Sequence, residues 1–191
     1  MPVPAHYDLI GTQMPWWLVI SCRNRWYLKN FVELGAGYGH TSAIACDHFQ
    51  RVWSVELVPD VFSHQVAELK QAKNARRLQG STVEHLPAII RALDAPTLFY
   101  IDSHWPCGPK IAAECPLLEE LAILQRERNV TQDVVLIDNY GMFEKPPRPP
   151  HNPAEWPNKS QTIAAVQALG LEVQIIADVL AATPSKLFEV L

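Results

Sequence analysis

The sequence predicts an α/β fold in which a doubly wound, mostly parallel sheet carries helices on both faces. Three observations point there. Short β-type runs alternate with segments of helical period from residue 31 onward, an early β-type run opens through a glycine-rich turn into a helix, and the last two runs lie too close together for a helical crossover. The β-type runs fall at 31–34, 51–56, 76–79, 97–102, 134–138, 171–176 and 186–191. Only Ala181, Ala182, Thr183 and Pro184 mark the gap before the final run, so 186–191 is predicted to close the sheet antiparallel to the rest.

Between these runs, Val58, Phe62, Val66 and Leu69 form one apolar stripe at helical spacing, and Leu86, Ile89, Ile90 and Leu93 form another. Pro59 and Pro87 suit first-turn positions, and Gly170 suits a position just past a helix beginning near Ser160. Residues 1–30, with Trp16, Trp17 and Trp26, are expected to form a leading helix and turn that cover a sheet edge or the mouth of a ligand site. The stretch 145–157 is rich in proline and can be neither helix nor central strand. As a loop following a buried strand's carboxyl end, it is either a wall of the site or a structural crossover. His151 and Trp156 on it could close over a ligand, with surface or packing roles favoured. The whole chain, 1–191, reads as one domain.

With 191 residues and 48% hydrophobic composition, such a domain buries roughly 70% of its unfolded surface. A formal charge of −4 gives no field that would attract nucleic acid or anionic lipid, so neither is expected as a partner. Cys22, Cys46, Cys107 and Cys115 have irregular spacing and no CxxC pair, as suits reduced thiols. The apolar run at 14–20 is too short to span a bilayer. A soluble, cytoplasmic protein is the expectation, with a homodimer left open.

The most informative stretch is Glu33, Leu34, Gly35, Ala36, Gly37, Tyr38, Gly39. A dinucleotide-binding turn would carry GxGxxG, whereas the spacing here is GxGxG. Glu33, two residues before the first glycine, would repel a diphosphate and suit a cation such as a sulfonium or an amine. Twenty-one residues after Gly35, Glu56 ends the next β-type run, where an acid can accept both hydroxyls of a ribose. The loop together with Glu56 resembles the cofactor half of the class I S-adenosylmethionine-dependent methyltransferases. That resemblance covers about residues 30–191 and implies a Rossmann-like sheet of seven strands ending in an antiparallel hairpin. It also implies that Gly35, Ala36, Gly37 and Gly39 lie against the methionine and ribose of the cofactor and that Glu56 holds the ribose. Ser81, after Gly80, would flank the adenine where the family often has an acid, and Asp102 would reach the cofactor's amino-acid end.

Asp102 closes the fourth run, and Asp138 and Asn139 close the fifth. Three such oxygens could occupy one side of an octahedral Mg²⁺, which would lower the pKa of a bound hydroxyl and orient it for attack on a sulfonium methyl. The arrangement resembles the metal-dependent O-methyltransferases, including catechol O-methyltransferase and the macrolide-sugar enzymes. Those catechol enzymes carry a lysine base shortly after the strand-four acid; here Trp105 stands third, and His104 and Lys110 are the nearest basic residues. The segment Asp102, Ser103, His104, Trp105 with Glu114, Cys115, Pro116, Leu117, Leu118 is similar to a group of uncharacterised bacterial methyltransferase-like proteins. His104 is the candidate general base, although it could instead orient Asp102 or stack on Trp105. Equally, Asp102 could serve the cofactor alone and Asp138 could cap a loop.

Other chemistries fit less well. His104, Cys107 and Cys115 are too loosely spaced for zinc. The prolines that follow strand four in amino-methyltransferases are missing, and Arg23/Arg25, Arg76/Arg77 and Lys145/Arg148 are thin material for an RNA groove. The expected function is S-adenosylmethionine-dependent methyl transfer to a hydroxyl of a small molecule, assisted by Mg²⁺. The alternative is a catalytically inactive S-adenosylmethionine-binding sensor or scaffold.

Overall fold

The computed structural model describes residues 14–104, 113–145 and 152–187. Its sheet is built from β1 (Asn30–Leu34), β2 (Arg51–Glu56), β3 (Ala75–Gln79), β4 (Thr97–Ile101), β5 (Val134–Ile137), β6 (Glu172–Ile176) and β7 (Val179–Thr183). They lie in the order β3-β2-β1-β4-β5-β7-β6, and β7 runs antiparallel to both its neighbours. β1, β4 and β5 are buried at every residue, as strands covered on both faces must be; their residues are mainly apolar, with Asn30 and Glu33 the polar members of β1.

Alternate residues feed two cores. Val32, Leu34, Phe99, Ile101, Val135 and Ile137 point to one face, where α5 (Thr82–Ala92), α6 (Leu117–Glu127) and α7 (Lys159–Gln167) supply Leu86, Leu121, Leu124 and Val166. Phe31, Val52, Leu98, Tyr100, Val134 and Leu136 point to the other, under α1 (Trp16–Arg25) and α2 (His40–Cys46). Trp16 of α1 stacks on Phe31 at 6.5 Å between ring centroids, so this helix lies on a sheet face rather than at the edge or mouth suggested by its tryptophans. α7 begins with a reciprocal cap: Asn158 accepts from the Gln161 N–H, and Gln161 accepts from the Asn158 N–H, each at 2.9 Å.

Three expectations are corrected. The closing strand is Val179–Thr183, not 186–191; Lys186 and Leu187 follow it outside any strand, and 188–191 lie outside the described residues. The intervening turn is tight, with Ala177 at φ 54°, so the hairpin needs no longer linker. The stripe from Val58 to Leu69 is split into α3 (Pro59–Ser63) and α4 (Ala67–Gln71), because the chain extends at Val66, whose N–H is held by the Tyr38 carbonyl at 2.9 Å. Pro59 does open α3, but Pro87 sits in the second turn of α5, where its ring removes a donor to the Val83 carbonyl.

Candidate functional site

β1 and β4 are parallel neighbours at which the strand order switches from one side of β1 to the other, and the crevice at the strands' carboxyl ends there is where open α/β sheets take ligands. A cavity of about 750 Å³ occupies it. Glu33, Gly35, Ala36, Gly37, Gly39, Glu56, Ser81, Asp102, His104, Asp138 and Asn139, the residues singled out from the sequence, all border this one cavity.

On its first wall, the N–H groups of Gly35 and Ala36 donate to the Val55 carbonyl at 3.0 and 2.9 Å, folding the loop over β2. Gly35 (φ +90°) passes so close to β4 that a Cβ there would sit 2.2 Å from the Asp102 carbonyl oxygen. Gly37 faces open space, with nothing within 4 Å of where a Cβ would be. Glu56 holds this loop with both oxygens, accepting the Gly37 N–H and the Val58 N–H at 2.7 Å each. Gln65, buried and missed by the sequence reading, donates to the Gly37 carbonyl at 3.0 Å and accepts from Arg77 at 2.7 Å. Ser81 is the residue before α5, and its side chain makes no cap bond.

Glu33 lies under the loop, only 2% exposed, and accepts a hydrogen bond from the Ser42 hydroxyl. Burial above all, with the charge of Asp102 adding to it, pushes its carboxyl up to about 8; the hydroxyls of Ser42 and Thr41 pull the other way. Tyr100 and Cys46 are further titratable neighbours that register its charge. At pH 7 the Glu33 carboxyl is therefore mainly protonated. Because the native state keeps this proton longer than the unfolded chain, the group's contribution to stability is lost as pH rises from the ordinary 4.5 through about 8. A cation favours the ionised form, so binding one should expel the proton. The expected result is an affinity for S-adenosylmethionine that climbs between pH 6 and 8, with Glu33→Gln reducing the protons released at pH 7 by roughly one half to one. Calorimetry in buffers of different ionisation enthalpy measures this, and a pH-independent affinity would contradict it.

The second wall carries the acids. The Asn139 side-chain amide donates to Asp102 at 3.3 Å, and Asp138 accepts the Tyr100 hydroxyl at 2.5 Å and the Asn139 N–H at 2.8 Å. Asn139 turns the chain in the left-handed region (φ 52°), an uncommon conformation for a side-chain-bearing residue, and this aims it back toward β4. Burial and then the Asp138 charge raise Asp102 to about 8; burial likewise raises Asp138. Asp102 and Asp138 offer hard oxygen donors, as Asn139 would once its amide turned its oxygen rather than its N–H toward Asp102, and a divalent cation would relieve the crowding of two buried carboxylates, so these residues fit Mg²⁺. Among the described residues, no group of three or more His, Cys, Asp or Glu side chains is arranged to hold a metal; this trio's third member is an amide.

His104 is 3% exposed, and neither ring nitrogen has a hydrogen-bond partner among the described residues; Nε2 stands 3.6 Å from an Asp102 oxygen. Phe143 and Trp156 meet its ring edge-on at 5.7 and 5.8 Å. This enclosure lowers its pKa from 6.5 to about 4, so the imidazole is neutral at pH 7 and less basic than its residue type suggested. Trp156 is itself fixed by Glu114, which accepts the indole N–H at 2.8 Å and the Asn152 N–H at 3.1 Å, pinning the end of the proline-rich segment behind His104. Trp105, Cys107, Lys110 and His151 lie outside the described residues. Cys115 is buried, with its thiol pushed up to about 12, which suits packing rather than ligation.

Glu120 was also missed. Fully buried on α6, it accepts hydroxyl hydrogen bonds from Thr82 of α5 and from Ser103 beside Asp102, and burial raises it to about 7. Its place between Leu117, Leu121 and Leu124 on an apolar stripe was the available signal.

No family model and no curated protein sequence matches the chain. Solved structures do. The O-methyltransferase TomG from Streptomyces achromogenes, solved in complex with S-adenosylmethionine, superposes with a TM-score of 0.56 at 14% identity over 95% of this chain and 86% of that one. A precorrin-6y C5,15-methyltransferase from Geobacter metallireducens gives 0.59 at 14% identity over 93% and 96%. A putative caffeoyl-CoA O-methyltransferase from Staphylococcus aureus gives 0.56 at 16% identity over 93% and 87%. The chain thus has the fold of the class I S-adenosylmethionine-dependent methyltransferases. Among the described residues no helix is long and apolar enough to cross a membrane.

Proposed function

We propose that the protein binds S-adenosylmethionine between the 35–39 loop and Glu56 and transfers its methyl group to a hydroxyl of a small molecule, with Mg²⁺ held by Asp102, Asp138 and Asn139. The observation that carries this reading is the single cavity onto which the glycine loop, Glu56 and the acid–histidine wall all open. Solved structures of the same fold that act as O-methyltransferases support it further.

When bound, the methyl donor supplies an electrophilic sulfonium carbon, and the metal lowers the pKa of a coordinated hydroxyl. The chain supplies position and charge. The open face of Gly37 admits the donor against the backbone, Glu56 accepts the ribose hydroxyls with its remaining lone pairs, and ionised Glu33 faces the cationic end. Ser81 lies at the adenine side. Asp102, Asp138 and Asn139 would hold the metal, and neutral His104, whose Nε2 stands 3.6 Å from Asp102, would accept the proton only of a hydroxyl already acidified there, because burial makes the imidazole a weak base. The acceptor oxygen forms the bond to the methyl carbon while sulfur keeps the electron pair of the bond that breaks. Phe143 and Trp156 keep water from His104.

Turnover on a panel of hydroxylated compounds should require a divalent ion, and Asp138→Ala should abolish it while changing S-adenosylhomocysteine affinity by less than about fivefold. Methylation that persists in EDTA removes the metal and leaves His104 with Asp102 as the catalytic pair. Donor binding without turnover on any acceptor leaves the sensor or scaffold reading in its place.

A further inference from the structure

The cavity's charge is lopsided. Six carboxylates border it, those of Glu33, Glu56, Glu84, Asp102, Glu119 and Asp138, and among the described residues no lysine or arginine does. Three of the described cations are engaged elsewhere: Arg77 over Phe62, Arg128 on Asp133, and Lys159 on Glu144. A concave wall of one sign focuses its field into the cavity, repelling anions and concentrating cations.

On the reading above, which this inference deepens, four of the acids have employment. Glu33 and Glu56 serve the donor, and Asp102 and Asp138 serve the acceptor oxygen. Glu84, in the first turn of α5 beside Ser81, belongs to the adenine side. Glu119 is left over. It is exposed in the first turn of α6, with no ion pair among the described residues. There the main cavity adjoins a side cavity of about 270 Å³, lined by Glu155, Trp156 and Gln161 and sharing Ala113, Pro116 and Glu119 with the first. His104 provides a separate sign of a ligand. It borders the main cavity with two buried nitrogens that lack partners among the described residues, a state that a bound hydroxyl would relieve.

We propose that the acceptor is an amine-bearing hydroxyl compound whose hydroxyl meets His104 and whose ammonium lodges at Glu119, and that phosphate- and carboxylate-bearing acceptors are turned away. With Glu33 set aside as protonated and Asp102 and Asp138 set aside for the metal, Glu56, Glu84 and Glu119 remain and no described lysine or arginine faces them, so an anionic acceptor meets no counter-charge from the chain on this side, whereas an ammonium gains the pairing that Glu119 lacks.

The test uses the full chain saturated with S-adenosylhomocysteine in magnesium-containing buffer. Calorimetry would follow the binding of three matched phenols: 4-(2-aminoethyl)phenol, 4-ethylphenol and 4-hydroxyphenylacetate. The amine should bind about tenfold or more tightly than the carboxylate, with the neutral compound between, and added salt should narrow the spread. Glu119→Gln should cut the amine's advantage over the neutral phenol by about threefold; a misfolded variant would betray itself by failing to saturate with S-adenosylhomocysteine, and Glu119→Asp, which keeps the charge, should retain much of the advantage. The proposal is overturned if the carboxylate binds as well as the amine, if none of the three binds, or if the ranking is untouched in a saturated Glu119→Gln protein. Failure of the unmodified protein to bind S-adenosylhomocysteine instead overturns the methyltransferase reading beneath it.

Discussion

Glu56→Ala should weaken S-adenosylhomocysteine binding by about 100-fold or more, a larger effect than any other single side-chain truncation in the donor half of the cavity. This carboxylate accepts two backbone N–H groups, from Gly37 and Val58, at 2.7 Å each. Hydrogen bonds to a charged group contribute about 1.5–3 kcal/mol apiece. Truncation removes the anchor that shapes the loop and, on the proposed reading, the acceptor for the ribose hydroxyls as well. A combined loss of about 3 kcal/mol corresponds to the stated factor of 100. Both freed N–H groups border a water-accessible cavity, so thermal stability should fall by only a few degrees. Glu56→Gln keeps one carbonyl acceptor in the same place and should lie between, at about tenfold. Calorimetric titration of the three proteins reads the series, and binding by the alanine variant within about threefold of the parent would remove Glu56 from the ribose.

How much of this was legible in the sequence depended on whether the signal was local. β1, β4 and β5 could be located because both their faces are covered, which writes a short, mainly apolar run into each, interrupted in β1 by Glu33. β7 escaped for the opposite reason. Its sequence, Val179 to Thr183, contains two alanines and looks like a linker, yet it lies between β5 and β6 and is buried at every position. Small side chains there fit a strand covered on both faces, a fact set by neighbours rather than by the run itself. The residues that border the main cavity were legible as a set because strand ends are marked by the acids and the glycine loop that stop the apolar runs. The residues behind them were not. Glu114 acts through Asn152 and Trp156, and Gln65 through Gly37 and Arg77, partners that no spacing rule connects. The basicity of His104 was likewise beyond reach, since it is set by Phe143 and Trp156, which arrive from later parts of the chain.

Two glycines in one turn should respond to alanine in opposite ways. Gly35→Ala places a methyl group 2.2 Å from the Asp102 carbonyl oxygen and 2.7 Å from the Ser103 Cα, and it does so at φ +90°, where a side chain is strained in any case. Both obstructing atoms are backbone at the end of β4, whose next N–H, that of Asp102, is tied to the Leu34 carbonyl at 2.8 Å, so neither side can yield without parting β1 from β4. Overpacking and backbone strain together cost about 3–5 kcal/mol, which for a chain of this size lowers the melting temperature by roughly 10 °C. Donor binding should go with it, because the displaced segment carries Asp102, Ser103 and His104. Gly37→Ala meets nothing within 4 Å, and φ +52° is the left-handed region that Asn139 already occupies at 52° in this same protein. Its cost to the fold should be about 1–2 kcal/mol, the ordinary penalty for alanine in that conformation. The open space beside Gly37 is the approach to the cavity, so the methyl group should instead weaken S-adenosylhomocysteine binding by about tenfold with the fold intact. Thermal melts and titrations of the two variants separate the effects. Equal losses of stability in both would mean that the loop is merely a tight turn, and a Gly37→Ala protein that binds as tightly as the parent would move the donor away from the backbone of this loop.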